Sequence, residues 1–542
     1  VSHLIPRIEY PEIVIGLVAP IGTPLGPTVN ELRSHFESAG YHVKQIKVTD
    51  IYKMLSQFIA PKVPLVDSPL VDRYKTYISY GNQIRREMDD NSVLAALTIY
   101  RVVGSRIRSG QIDEEKFSRT VYILDQFKRQ EEIELFRAVY GRIFFQISVY
   151  SRRSARVDYL SRKFAADAGD LNHDQFRSAA EELVSEDQNQ QKEKYGQRVA
   201  KIFHDADFIV NKDISDPSVS DQIRRFFELL FSSNSYTPNK MEYGMFAAKS
   251  AALRTADLSR QVGAAIFTPK GEIISLGSNE VPKARGGTYW PDEDIDDREF
   301  KRGHDSNDAR KREILNEILK ILEKDSSHLN DEAKKRLDDA ALMDALEYGR
   351  IVHAEMSALL DAARIGRPVR ESVLFTTTFP CHMCAKHIVA SGVSVVVFLE
   401  PYPKSLASRL HADSIEIEGQ ERGGYKDYPS VEFKHFYGIT PRRYREFFER
   451  SRRKDSNGDF EAYLFGKKKP FVDIKSPFYT QLEETVLQSV RSAIEHLGQS
   501  SKLQLGYYAP QAKYSCSGRT SKLPAFNAAI ASATAAAPDS VV

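Results

Sequence analysis

The chain predicts an α/β fold in two parts, a doubly wound sheet followed by an α/β/α domain, and three observations carry this. Short β-branched and apolar runs alternate with amphipathic helices through the first part, as in parallel sheets covered on both faces. The Pro/Ser/Asp-rich stretch Asp213–Ser220 interrupts that pattern, and a second alternation opens with a hairpin beyond it. With 542 residues there is length for two or three separate cores.

Glu12–Val18 reads as the first strand, the Gly/Pro-rich Ala19–Thr28 as a loop, Val29–Gly40 as a helix and His42–Val48 as the next strand. Val121–Asp125, Arg142–Tyr150 and Ala206–Asn211 continue the sheet, with a helix at Gln130–Tyr140 and a charged surface helix within Asn172–Gln197. A loop between a strand and a helix start can hold an anion on free N–H groups. The segment from Gly16 to Thr23 has neither the glycine spacing nor the lysine of a G-x-x-x-x-G-K-[ST] loop. It resembles a nucleotide-kinase (P-loop-kinase) scaffold whose phosphate loop is degenerate. In that reading Gly16, Gly22 and Thr23 hold a nucleotide, Arg152 and Arg153 clamp its phosphates, and no phosphoryl transfer occurs. Residues 1–215 are expected to form this regulatory domain and 216–237 a linker, with a helix from about Asp221 to Phe231 leading out of it.

Met241–Asp257 then reads as a helix, and Gln261–Thr268 with Gly271–Ser278 as a hairpin across Pro269-Lys270. An insertion at about 286–346 follows, with mixed charges and a helix near Ala309–Lys324; its composition fits a solvated segment, a lid or ligand site being the alternative. The second domain is expected to run from 238 to 470. From 471 to 542 a helix opening at Ser476-Pro477 and ending near Leu497 gives way to a Ser/Gly/Ala-rich tail expected to be disordered.

Composition excludes several classes. Nearly balanced charge, net +2, gives no bulk electrostatic footprint for nucleic acid and favours small-molecule substrates. No apolar run reaches membrane-spanning length, no leader pattern opens the sequence, and three cysteines cannot build a disulfide framework, so a cytoplasmic protein is expected.

The chemistry concentrates in His353-Ala354-Glu355 and Pro380-Cys381-His382-Met383-Cys384. Met356, Leu359, Leu360 and Ala363 recur at helical spacing up to Gly366, so His353 opens a helix. Pro380 precedes a second helix, Cys381–Ser391, closed by Gly392, which puts both cysteines in its first turn, where free N–H groups favour thiolates. Val373–Phe379 and Val393–Leu399 read as flanking buried strands. One imidazole and two thiolates leave a fourth tetrahedral position of Zn²⁺ open for water, and Glu355 is placed to move protons without ligating. The pattern matches the H-x-E, P-C-x-x-C signature of zinc-dependent nucleobase deaminases.

From Met241 to about Leu406 the chain resembles deoxycytidylate deaminases, through Ser259-Arg260-Gln261-Val262-Gly263-Ala264, Gly277-Ser278-Asn279-Glu280, the two zinc motifs and Cys384-Ala385-Lys386. The whole chain is similar to bacterial anti-phage dCTP deaminases. The resemblance implies a cytidine-deaminase fold, zinc held by His353, Cys381 and Cys384, and Glu355 as proton shuttle. It further implies substrate contacts from Asn279, Tyr402, Arg260 and Arg364. Lys283 and Arg285, just after Asn279, are candidates for additional phosphates, which keeps dCTP beside dCMP as substrate. An allosteric nucleotide, an inhibitory small RNA and a homo-oligomer such as a hexamer are the other partners implied, and the implied role is to drain deoxycytidine nucleotides during infection. The Gly-Ser-Asn-Glu stretch departs from the family's aromatic-bearing Gly-Tyr-Asn-Gly, so stacking or sugar selection is expected to differ. The rival readings are a tRNA or single-strand deaminase, a nucleotide kinase, and a nucleotide- or RNA-binding regulator.

Overall fold

A computed structural model describes residues 8–108, 117–188, 194–322, 330–338, 340–402, 404–450, 452–461, 469–472, 474 and 477–497. Part of the charged segment Asn172–Gln197, the last residues of the helix expected at Ala309–Lys324, and the tail from 498 onward with Cys516 lie outside these residues. The chain divides into two compact units, residues 1–236 with 446–542, and residues 237–445.

In the first unit, strands β1 (Ile13–Val18), β2 (His42–Lys47), β3 (Thr120–Asp125), β4 (Phe144–Tyr150) and β5 (Phe208–Asn211) pair in parallel in the order β5-β4-β1-β3-β2. β1 is buried along its whole length, as a central parallel strand covered on both faces must be. The strand order changes direction at β1, the arrangement of a doubly wound sheet. Between β2 and β3 the sequence reading assigned nothing, yet the structure places two long helices there, Leu70–Glu87 and Val93–Arg108.

The helix expected at about Asp221–Phe231 is present within the stretch expected as a linker, and it belongs to the first unit. Residues Val219–Leu230 form a helix started by Ser218, whose hydroxyl accepts from the Asp221 N–H at 3.2 Å. Its Ile223, Phe226, Phe227, Leu229 and Leu230 are buried, and Phe227 meets Phe36 of helix Gly26–Ser38 edge-on, ring centroids 5.3 Å apart. A stripe this apolar cannot remain in solvent. The C-terminal helix, Tyr479–Leu497, likewise packs on helix Val93–Arg108 within this unit.

What fixes that last helix is a buried polar cluster. Arg106 donates to Glu12 at 3.1 and 2.8 Å and to Glu483 at 2.8 and 3.1 Å. Tyr479 and Tyr122 donate to Glu12 at 2.8 and 3.2 Å, and Tyr140 to Glu483 at 2.8 Å. One guanidinium thus serves two carboxylates in the core. Burial pushes the Glu483 carboxyl up, with the Arg106 charge working against it.

In the second unit β6 (Gly263–Phe267), β7 (Ile273–Ser278), β8 (Val373–Thr378), β9 (Val395–Glu400), β10 (Ile415–Ile417) and β11 (Val431–His435) pair in the order β10-β11-β9-β8-β6-β7. β6 is antiparallel to both neighbours and the remaining pairs are parallel. Helices cover both faces, and two glycines show how. Gly277 lies opposite Ala264 and Gly263 opposite Ser278, so the two glycines face opposite sides. A Cβ on Gly277 would sit 2.1 Å from the Ala354 carbonyl oxygen, and one on Gly263 would sit 1.9 Å from that of Ala248. Helix Ala354–Arg364 therefore lies directly on one face and helix Lys240–Ala252 on the other. Helix Lys240–Ala252 stops five residues short of the expected Asp257. Among the described residues no helix is long and apolar enough to cross a membrane.

Removing one member of a buried ion cluster strands the others, at a cost of about 3–5 kcal/mol. Arg106→Met should lower unfolding stability by that amount in urea titrations and expose the C-terminal helix to proteolysis. Glu483→Gln, which keeps the side chain's shape and leaves Arg106 paired with Glu12 while giving up one acceptor, should cost less than half as much.

Candidate metal and catalytic site

His353 and Cys381 occupy equivalent positions, each the residue that starts a helix: His353 before Ala354–Arg364, Cys381 before His382–Ser391. Each has extended backbone, and at Cys381 this turns the side chain toward the open N–H groups of the first turn. The Cys381 sulfur accepts from the Cys384 N–H at 3.4 Å. Gly392, at φ 81°, closes the second helix in the left-handed conformation expected of it.

The two starts converge. His353 Nδ1 lies 3.3 Å from the Cys381 sulfur and 3.4 Å from that of Cys384, and the three ligand atoms fall within 4.8 Å of one another. Both cysteines are buried. The Cys384 thiol hydrogen bond, with the His353 imidazole, holds the Cys381 thiol well below its usual range at about 4 against the penalty of burial. Cys384 is pushed up by that same bond and by burial. One borderline nitrogen and two sulfurs, clustered and buried, are a donor set that fits zinc.

Glu355, in the first turn after His353, is 4% exposed. Its Oε2 is 3.4 Å from the Cys384 sulfur and its Oε1 is 3.5 Å from the hydroxyl of Thr376 on β8. Burial, then the negative Cys381, pushes its carboxyl above the usual range. A carboxylate beside the three ligands, with no cation paired to it among the described residues, can take up and return a proton. Sequence reasoning missed Thr376, whose hydroxyl also donates to the Thr378 carbonyl at 2.9 Å; nothing in a strand's alternation singles it out.

The remaining candidates divide into two groups. Asn279 is 4% exposed, and its amide is used internally. It accepts from the Val262 N–H at 2.7 Å and donates to Asp257 at 2.5 Å and to the Arg260 carbonyl at 2.8 Å. It thereby fixes the loop carrying Arg260, whose guanidinium lies 5.1 Å from the Tyr402 ring centre and 3.4 Å from Glu400. Tyr402 packs against the cluster that contains both cysteines. Farther along, Arg364 crosses the Gly286 turn, its Cδ 2.6 Å from where a Cβ on Gly286 would be, which brings it beside the chain that follows Lys283 and Arg285. Lys283 is paired with Glu293, Arg364 with Asp361 at 2.9 Å, and Arg285 takes a positive φ of 73°.

The insertion is held by charges that the sequence pattern did not assign. Arg298 meets Asp296 at 2.7 Å and the buried Glu280 at 3.7 Å, and Arg350 meets Asp297 at 3.0 Å. Arg254 lies 3.7 Å over the ring of Trp290, the sole tryptophan of the sequence. That singularity was the one available signal.

The N-terminal candidates do not form an anion cradle. Gly16 is buried in β1, where a Cβ would touch the Phe144 ring at 2.8 Å. Gly22, at φ 84°, is pressed against the Arg156 carbonyl oxygen. Thr23 bonds through its N–H to the Pro20 carbonyl at 3.1 Å. Arg152 and Arg153 start helix Arg153–Ala168 and are exposed, Arg153 donating to Ser185 at 3.0 Å. Arg156, three residues on, is the arginine that reaches the loop, donating to the Ile21 carbonyl at 3.3 Å.

Residues 238–400 match the family model described as the cytidine and deoxycytidylate deaminase zinc-binding region. The ComE operon protein 2 of Bacillus subtilis is 34% identical over 65 residues, which cover 12% of this chain and 34% of that protein. A probable deoxycytidylate deaminase of Drosophila melanogaster is 25% identical over 199 residues, covering 36% of this chain and 78% of that one. A crystal structure of the dCMP deaminase of cyanophage S-TIM5 in complex with dCMP and dUMP aligns over 36% of this chain and 98% of its own, at 18% identity and a TM-score of 0.21. The family-model match thus falls within the second unit and spans His353, Glu355, Cys381 and Cys384.

Zinc content separates ligands from neighbours. The protein should hold close to one zinc per chain by plasma mass spectrometry after dialysis. Cys381→Ser and His353→Ala should each lose most of it, whereas Glu355→Gln should retain it.

Proposed function

We propose that the second unit hydrolytically deaminates deoxycytidine nucleotides, dCMP or dCTP, to the corresponding deoxyuridine nucleotide and ammonia. The observation that carries this is Glu355, buried beside the His353, Cys381 and Cys384 group yet outside the ligand set. Bound by those three residues, zinc would supply Lewis acidity that makes water a nucleophile near neutral pH. Glu355 takes the proton as water attacks C4 of cytosine, then delivers protons to N3 and to the departing amine. Thr376 and the burial around Glu355 hold that carboxylate in place between the two transfers.

Recognition is proposed for the surrounding loops. Asn279 positions the Arg260 loop, and Arg260 with Tyr402 forms one wall. Arg364, Arg285 and Lys283 are the cations proposed for phosphate, which would displace Asp361 from Arg364 and Glu293 from Lys283, and the last two are the reason for keeping the triphosphate as a substrate. The deoxycytidylate deaminase relatives and the family model over 238–400 support a nucleotide substrate. The drain of dCTP in anti-phage defence rests on the overall resemblance to dCTP deaminases.

Incubating the zinc-loaded protein with dCMP, dCTP, CTP, cytidine and a deoxycytidine oligonucleotide, and quantifying the uracil products, tests this reading. One of the two deoxynucleotides should turn over at least about a hundred-fold faster than cytidine or the oligonucleotide. Glu355→Gln should lose about 10²- to 10⁴-fold in rate, the range for a positioned acid–base group. An oligonucleotide preference would move the protein to the nucleic-acid reading.

A further inference from the structure

A cavity of about 460 Å³ opens in the first unit, between the loop after β1, the carboxyl end of β3 and helix Leu70–Glu87. That is within the size range of small-molecule sites, and it sits at the edge of the sheet where doubly wound folds bind ligands. Its lining decides what it can take.

The loop side is closed to an anion. Asp187, 1% exposed, accepts from the Ile21 N–H at 2.7 Å and from Lys128 at 2.7 Å, and Lys128 also donates to the Ala19 carbonyl at 3.0 Å. A carboxylate of the chain itself already occupies the place beside the loop that a phosphate would need. Arg85 is similarly spent on Glu132 at 2.8 Å.

The opposite side is different. Three more cations line the cavity, Lys47, Arg73 and Lys163, facing a single further carboxylate, Asp125. Among the described residues none of the three has a carboxylate within salt-bridge distance. Two of them are held by aromatic rings of the lining: Arg73 lies 4.5 Å from the Tyr77 ring centre, and Lys163 lies 5.7 Å from that of Tyr74 and 6.0 Å from that of Tyr159. Lys163 also donates to the Tyr74 hydroxyl at 3.4 Å. Once the internal pairs are set aside, the cavity carries an excess of two positive charges. A phosphomonoester supplies about −1.5 to −2 at pH 7. Cations alone would suit any phosphate, but four tyrosines, Tyr52, Tyr74, Tyr77 and Tyr159, line the same space and offer ring faces to a planar base.

We infer that this cavity binds a nucleoside 5′-monophosphate, its phosphate between Arg73 and Lys163 and its base among the tyrosines. The anion sits across the cavity from the loop after β1, because Asp187 fills that side. This site lies wholly within the first unit and is independent of the chemistry at Glu355.

Calorimetric titration of the full zinc-loaded chain with AMP, UMP, adenosine and inorganic phosphate tests the inference. At least one monophosphate should bind about ten-fold or more tighter than both adenosine and phosphate. Arg73→Met and Lys163→Met should each weaken it by about ten- to a hundred-fold, the loss expected for one charge-assisted contact. Cys381→Ser should leave that binding unchanged, which separates it from any binding at the zinc site. In the unmodified protein, the same monophosphate should protect Lys163 from acylation by an N-hydroxysuccinimide ester at least about five-fold, as read by peptide mass spectrometry, while exposed Lys301 reacts as before. No binding of either monophosphate at millimolar concentration, phosphate binding as tightly as the nucleotide, binding that survives Arg73→Met with Lys163→Met, or an unprotected Lys163 would each overturn it.

Discussion

Two helix starts pointing at one spot are the constraint on which the second unit depends. His353 and Cys381 each begin a helix, and the unpaired N–H groups of the first turns make both ends electropositive. Bringing such ends together is unfavourable unless negative charge lies between them. The Cys381 thiol, held well below its usual range, favours such charge there, and Glu355 lies beside it. The sheet permits the approach because Gly277 has no side chain where helix Ala354–Arg364 rests. The same three facts, two starts, a gap in the sheet surface and trapped negative charge, make the spot one for a cation and leave Glu355 beside it.

The first unit handles buried charge in the contrary way, by closing it upon itself. Arg106 is surrounded by Glu12 and Glu483, with three tyrosine hydroxyls satisfying the remaining lone pairs. Asp187 quiets Lys128 and the Ile21 N–H together. A loop that by position should be an anion site is thereby neutralised, and the open cations lie elsewhere on the same cavity. The carboxylate of Asp187 thus takes up the Ile21 N–H and the Lys128 charge on the loop side of the cavity.

Much of this was legible in the sequence where the signal is local. The strands from Ile13 to Asn211 follow from β-branched runs, and the two helix starts follow from His353 and from Pro380 before Cys381, because capping and periodicity act over a few residues. What was not legible is long-range pairing. Ile21 meets Asp187 across 166 residues, and Arg106 meets Glu483 across 377, with no spacing rule to announce either. The helix near Asp221–Phe231 was legible from its apolar stripe, with Leu230 three and four residues after Phe227 and Phe226, whereas its packing against Phe36 was not. Asn279 was readable as important but not in its manner, since only the folded loop shows its amide tied to Asp257 and the Arg260 carbonyl.

X-ray absorption at the zinc edge distinguishes an open metal site with three protein ligands from a closed one. An open site should give two sulfur scatterers at about 2.3 Å and two nitrogen or oxygen scatterers at about 2.0 Å, one of the latter exchangeable by a small added ligand such as azide. A spectrum of four protein scatterers unaffected by added ligand, or one with a third sulfur, would contradict it.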